Sequence, residues 1–378
     1  VSPLPIVVLW ALVAGATPPG TLTPAADDVD DVDRVDKVAA TVRARQWHLG
    51  ALRLPEAWRL SKGEGVLVAV LDTGVDRRHP DLRGAVIHGP DLTGSRRGRS
   101  GHHGTAMASL IAGRGHGEDG RHGVMGVAPR ARILSVKVTL DSGDPVRELL
   151  SARSGEAQAL ARGIRYAVDS GADVINMSLG GGSGTWRGSP AELEAVRYAL
   201  DRGAVLVASS GNDGQSTNRR TYPAAYPGVI AVGAVDRALR VPAFSNRQDY
   251  LSVVAPGTRI VGADGSSSYV IGDGTSPAAA MVAGVAALIK ARHPGLTPQQ
   301  VRGAIERGTR KRPAAGHSRA YGHGVVDALK ALKEAERIAH ARPARLPLAK
   351  QPPYSRLPVI VAMVLLAAVM SARVLARR

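Results

Sequence analysis

Six short runs made mainly of Val, Ile, Leu and Ala constrain this chain more than any other feature: Val66–Leu71, Ile133–Val138, Val174–Met177, Val205–Ala208, Val229–Val235 and Leu251–Val254. Near-continuous apolar composition suits strands covered on both faces, which are characteristically parallel strands flanked by helices. Helical patterns lie between several of them. Ala157, Leu160, Ala161, Ile164, Ala167 and Val168 recur at i, i+3, i+4, i+7 spacing, with Gly171 as a stop. Ser189-Pro190-Ala191-Glu192 reads as a capping box with proline in the first helical position, and Gly203 ends that helix. Thr297-Pro298-Gln299-Gln300 repeats the device. The alternation predicts an α/β fold built on a mainly parallel central sheet. Ligands of such sheets bind beyond the carboxyl ends of the strands, so the loops that follow strands are where chemistry is expected.

The flanks divide the 378 residues further. Leu4–Ala14 is a short apolar run followed by Ala14-Gly15-Ala16, the A-x-A form of a signal-peptidase site, so residues 1–16 are expected to be a signal peptide. Residues 17–45 form an Asp- and Pro-rich extension or propeptide, with Asp27, Asp28, Asp30, Asp31, Asp33 and Asp36 crowded together. The folded body is expected over 46–339, followed by a proline-rich basic linker over 340–356. Leu357–Leu375 has 19 positions and one charge, Arg373, and is expected to be a transmembrane helix. Residues 376–378 form its cytoplasmic tail, because Arg373, Arg377 and Arg378 mark the inner side. The body is then extracytoplasmic, on a single-pass anchor that contacts membrane lipid. The formal charge of +17 invites a nucleic-acid reading, but aromatics are only 3% and no basic cluster is interleaved with them. No nucleic-acid partner is expected. With no cysteine, the chain can have no disulfide, no thiol nucleophile and no zinc–cysteine site.

Four post-strand or helix-opening segments carry reactive side chains. The first run delivers Asp72 in Leu71-Asp72-Thr73-Gly74, where it could be a turn aspartate or a partly desolvated carboxylate in need of a partner. An aspartic-protease pairing needs a second such carboxylate, and Asp141-Ser142-Gly143, in a polar loop, is a poor one. His103 stands in Gly101-His102-His103-Gly104, where a small-residue helix begins; no metal-ligand spacing accompanies it. Val205–Ala208 leads into Ser209-Ser210-Gly211-Asn212, whose Asn212 could hold a turn or aim an amide at an oxyanion. Ser276, in Gly272-Asp273-Gly274-Thr275-Ser276-Pro277, opens an Ala/Val-rich helix and could be a helix-start residue or a nucleophile. Asp72, His103 and Ser276 follow the Asp…His…Ser order of the subtilisin arrangement.

The segments VAVLDTGVDRRHPDL, GHHGTAMASLIAG, VINMSLGGG, ASSGNDG, YPAAYPGVIAVGAVD, AFSNRQDYLSVVAPG and GDGTSPAAAMVAGVAALI resemble, in order, the signature blocks of subtilisin-family serine proteases over Gly63 to Asp327. RQWHLGALRLPEAWRLSKGEG before the first block, and the proline-rich linker, apolar span and basic tail, are similar to the mycosins, the membrane-anchored proteases of type VII secretion. Mycosins carry disulfides, which this chain cannot. The resemblance implies a subtilisin-like three-layer fold and a serine endopeptidase acting on polypeptide. Ser276 is the implied nucleophile, His103 the general base and Asp72 its orienting carboxylate. The Asn212 amide and the Ser276 N–H are the implied oxyanion hole, Ser178, Leu179 and Gly180 the strip that pairs with extended substrate, and Ser209, Ser210 and Gly211 a pocket wall. Membrane secretion-complex proteins are implied partners, and a scaffold role in such a complex is the competing expectation. Pro277, Ala280 and Met281 stand where many relatives have methionine, proline and histidine. Pro277 has no N–H, but the family's oxyanion hole does not use that amide; an α/β-hydrolase would, and no G-x-S-x-G occurs. No cofactor or catalytic metal is required by this chemistry. Asp81 and the Gly115–Gly123 loop lie where some family members hold a structural calcium.

Overall fold

The computed structural model describes residues 41–94, 101–142, 144, 155–180 and 188–341. Two compact units divide the chain, Val1–Ala339 and His340–Arg378. Nearly all of the second, including the Leu357–Leu375 span, lies outside the described residues, as does the Leu4–Ala14 run. Among the described residues no helix is long and apolar enough to cross a membrane.

The first unit opens with two short helices, α1 (Trp47–Ala51) and α2 (Leu54–Ala57), followed by β1 (Leu67–Asp72) and β2 (Val86–Asp91). Helix α3 (His102–Ala112) leads into a small hairpin, β3 (Arg114–His116) with β4 (His122–Met125), and then β5 (Arg132–Lys137). Next come α4 (Gly155–Asp169), β6 (Val174–Met177), α5 (Pro190–Asp201), β7 (Val205–Ser209), β8 (Ile230–Val235) and β9 (Val253–Pro256). A second hairpin, β10 (Ile260–Ala263) with β11 (Tyr269–Gly272), precedes α6 (Thr275–Arg292) and α7 (Pro298–Arg307). Strands β12 (Thr309–Arg310) and β13 (Val325–Val326) and helix α8 (Ala328–His340) complete the order.

Nine strands form one sheet in the order β2–β5–β1–β6–β7–β8–β9–β13–β12, parallel throughout except for the last pair. All six apolar runs became strands of this sheet, within a residue or two of the expected bounds. Strand β2 had no apolar run to announce it. His88, Gly89 and Pro90 interrupt it, which an edge position next to β5 tolerates because proline's missing donor faces no further strand. The Ser189 and Thr297 capping boxes both form, each with its reciprocal pair of hydrogen bonds.

Alternation along the central strands builds three layers. On β1, Val68 and Val70 enter a core shared with α3 and α6, while Ala69 and Leu71 enter one shared with α4 and α5. Strands β6 and β7 do the same: Val174, Val205 and Val207 face α3 and α6, whereas Ile175, Met177, Leu206 and Ala208 face the other side. Helix α6 is buried from Thr275 to Lys290, so its apolar residues run all round it. It lies close against the chain before β5, where a Cβ at Gly284 would come within 2.5 Å of Val127 Cβ.

Candidate active site

The register of the three middle strands brings their carboxyl ends to one level. Val70 pairs with Asn176 and Met177 with Ala208, so extending each ladder sets Asp72, Ser178 and Ser209 side by side. Adjacent strands lie about 4.8 Å apart. All three residues also share the parity of Val68, Val174 and Val205, which points them toward the layer of α3 and α6.

Asp72 is 1% exposed, and its Oδ1 accepts from the His103 Nδ1 at 2.7 Å and from the Thr73 N–H at 2.7 Å. Donation from Nδ1 to a carboxylate selects the tautomer with its lone pair on Nε2. His103 sits in the first turn of α3, whose start is held against the loop after β1 by two glycines. A Cβ at Gly101 would lie 2.1 Å from Thr73 Oγ1, and one at Gly104 would lie 2.2 Å from the Gly74 carbonyl oxygen. Only glycine permits this approach, and the approach is what brings the imidazole to the carboxylate.

Two supports of His103 gave no signal in the sequence. Asp141, beyond β5, accepts from the N–H groups of both His102 and His103 at 3.1 Å, capping α3 from 38 residues further along the chain. His102 forms a second histidine–aspartate pair: its Nδ1 lies 2.6 Å from Asp264 Oδ1, tying α3 to the β10–β11 hairpin. That hydrogen bond raises the His102 pKa above its ordinary value.

Ser276 occupies the first turn of α6, behind an N-cap Gly274 with φ 158°. It is 4% exposed, and its Oγ donates to the Ser178 carbonyl at 3.2 Å. Ser178 answers with its own Oγ, which donates to the Ser276 carbonyl at 2.9 Å, while Asn176 Nδ2 donates to that hydroxyl at 3.0 Å. The carboxyl end of β6 and the start of α6 are thereby stitched together. Asn212 is oriented by Thr275: its Oδ1 accepts from the Thr275 N–H at 2.9 Å and Oγ at 3.0 Å. With the oxygen so committed, the amide nitrogen faces the other way, and it makes no hydrogen bond among the described residues. A Cβ on Gly274 would be 3.4 Å from that Nδ2, which places the amide beside the start of α6. Thr275 also accepts from the Gly211 N–H at 3.2 Å through Oγ1.

The remaining expected residues follow the carboxyl ends of β6 and β7. Gly180 has φ 136°, and a Cβ there would be 2.5 Å from the Tyr222 carbonyl. Ser209 Oγ reaches the Leu179 carbonyl at 3.4 Å, so β7 and the strip after β6 run together. Ser210 is fully buried, and Gly211, with φ 105°, packs against Asn246 and Thr221. Asp81 lies elsewhere, fully buried, accepting from His116 Nδ1 at 2.6 Å and the Val124 N–H at 2.7 Å.

A buried carboxylate fixing an imidazole, with a serine at a helix N-terminus and an amide donor at the same carboxyl end of the sheet, is suited to acyl transfer. The model of the subtilase family of peptidases matches residues 63–324. The chain belongs to the subtilase family. It is 38% identical to subtilisin DY of Bacillus licheniformis over 270 residues, 70% of this chain and 90% of that protein. Thermitase of Thermoactinomyces vulgaris is 36% identical over 292 residues, 77% of this chain and 96% of thermitase. Among solved structures, that of MycP1, described as a serine protease and an essential component of the type VII (ESX-1) secretion system, superposes with a TM-score of 0.63 at 33% identity, covering 76% of this chain and 88% of that one. This subtilase is therefore a serine endopeptidase, with polypeptide as its substrate class and mycosins among its structural neighbours.

Proposed function

We propose that this subtilase is a membrane-anchored endopeptidase associated with type VII protein secretion, cleaving through Ser276, His103 and Asp72. The observation that carries the catalytic assignment is the 2.7 Å bond between buried Asp72 and His103, on the strand-end level where Ser178 binds Ser276. In this reading the Ser276 hydroxyl hydrogen leaves the Ser178 carbonyl for His103 Nε2 as Oγ attacks the peptide carbonyl carbon. Asp72 stabilises the imidazolium, which then gives its proton to the leaving amine. Asn212 Nδ2 and the Ser276 N–H receive the tetrahedral oxyanion, aided by the N-terminal partial charge of α6. Water releases the acyl group by the same steps. Extended substrate runs along Ser178–Gly180, with Ser209–Gly211 as a pocket wall.

The secretion assignment draws support from the MycP1 likeness and from a second solved neighbour, the MycP3 protease of the type VII (ESX-3) system, at 32% identity and a TM-score of 0.62. The apolar Leu357–Leu375 segment behind a proline-rich linker supports the anchor. Membrane fractions holding the full chain, profiled on a peptide library beside a Ser276→Ala control, test the proposal. Membrane-bound cleavage that vanishes with Ser276 is expected. A folded, membrane-bound wild type that cleaves nothing would replace it with the scaffold role.

A further inference from the structure

The β3–β4 hairpin closes around a cation, and the chain supplies that cation itself. Three of its carbonyls converge on one guanidinium: Arg43 Nε donates to Gly123 O at 3.0 Å, and Nη2 donates to Gly120 O at 3.1 Å and His122 O at 3.2 Å. A Cβ at Gly115 would lie 2.5 Å from Nη2, so the backbone wraps the group closely on that side too. Burial lowers the Arg43 pKa from its ordinary value, and the attraction of Asp81, buried beneath the hairpin, offsets only part of that effect. The segment bearing Arg43 is anchored on both sides. Val42 is fully buried against Val124 and Val261, and Gln46 clasps Met125 with its amide, both bonds being 2.9 Å.

Converging carbonyls beside a buried carboxylate are the donor set of a hard cation such as calcium, which takes about 6–8 oxygens at roughly 2.3–2.6 Å. The residues present do not fit that ion. The three carbonyls are accepting N–H groups from Arg43, and both Asp81 oxygens are accepting them from His116 and Val124. A guanidinium is the better match, because its planar fork delivers several donors in fixed directions.

We infer that Arg43 is the structural cation of the 114–125 hairpin, standing where some family members hold calcium and making that hairpin independent of the ion. One consequence concerns maturation. Any cleavage that removes the N-terminal extension has to fall before Arg43, since a cut after it withdraws the cation and frees the loop.

Hydrogen–deuterium exchange and thermal unfolding, with calcium chloride or with a chelator, test this on the full chain carrying Ser276→Ala to prevent autolysis. Exchange of the 114–125 amides and the melting temperature are expected to be the same in both conditions, within about 1 °C for the latter. Arg43→Ala is expected to speed exchange in that loop by about 10-fold or more and to lower the melting temperature by roughly 3–8 °C. If Arg43→Ala does not fold, Arg43→Lys replaces it, with an intermediate rise in loop exchange expected because the charge stays and the fork is lost. Calcium-dependent protection of the 114–125 amides in the Arg43-containing protein would overturn the inference. So would loop exchange that ignores substitution at Arg43.

Discussion

Replacing Gly104 by alanine tests how the Asp72–His103 pair, the proposed catalytic dyad, is held. The new Cβ would start 2.2 Å from the Gly74 carbonyl oxygen, where ordinary contact begins at 3.4 Å, so the two backbones must separate by about 1 Å. They carry the two halves of the dyad: Gly74 follows Asp72 by two residues, and His103 precedes Gly104. If α3 moves away from the β1 loop, the 2.7 Å bond between Asp72 and His103 opens to about 3.7 Å and ceases to be a hydrogen bond. A misplacement of about 1 Å costs on the order of 10²-fold, and loss of the aspartate's action in a triad on the order of 10⁴-fold. The expected fall in kcat is therefore about 10²- to 10⁴-fold, with KM little changed. The assay is steady-state hydrolysis of a chromogenic peptide, with circular dichroism to show a folded variant. Gly50→Ala is the control, since a Cβ there meets nothing within 4 Å, and it is expected to keep activity within about twofold. A folded Gly104→Ala enzyme with near-normal kcat would refute the claim that this contact sets the dyad.

Two further outcomes follow from individual side chains. Asn212→Ala is expected to lower kcat by about 10²- to 10³-fold. Asn212→Asp retains an acceptor for Thr275 but turns an oxygen toward the oxyanion, so peptide hydrolysis should be no faster than in the alanine variant; a nearly active aspartate variant would remove Asn212 from that role. Burial lowers the His48 pKa from 6.5 to about 3, so the folded state holds it neutral while the unfolded chain takes up a proton below 6.5. Stability is unaffected by His48 above that pH and falls by about 1.4 kcal/mol per unit as pH drops from 6.5 toward 3. Urea unfolding between pH 7 and pH 4, in a Ser276→Ala background, should show a shallower decline for His48→Leu than for His48; equal slopes would contradict the assignment.

The sheet was legible because its strands are buried on both faces and advertise themselves as apolar runs; β2, at the edge with His88, Gly89 and Pro90, does not. Within the candidate site, the positions of Asp72, His103, Asn212 and Ser276 had local sequence marks, because strand ends and helix starts place them. Their supports had none. Asp141 caps α3 across the fold, and a carboxylate in a polar loop carries no sign of the N–H groups it will meet. Thr275 adjoins Ser276 in plain view, yet its task of turning the Asn212 amide depends on a residue 63 positions earlier. Arg43 is the sharpest case. It stands in a stretch read as extension, two residues from Arg45, and only the packing of Val42 and the clasp of Gln46 bring it to the loop carbonyls.

The central claim is that Ser276 is a nucleophile made reactive by His103 and Asp72. Stoichiometric reaction with a fluorophosphonate probe, followed by mass spectrometry of the modified peptide, measures it most directly. One probe per chain is expected on the peptide containing Ser276, absent from Ser276→Ala and greatly slowed in His103→Ala and Asp72→Asn. A folded wild type that never takes the probe, or takes it at another serine, would contradict the account.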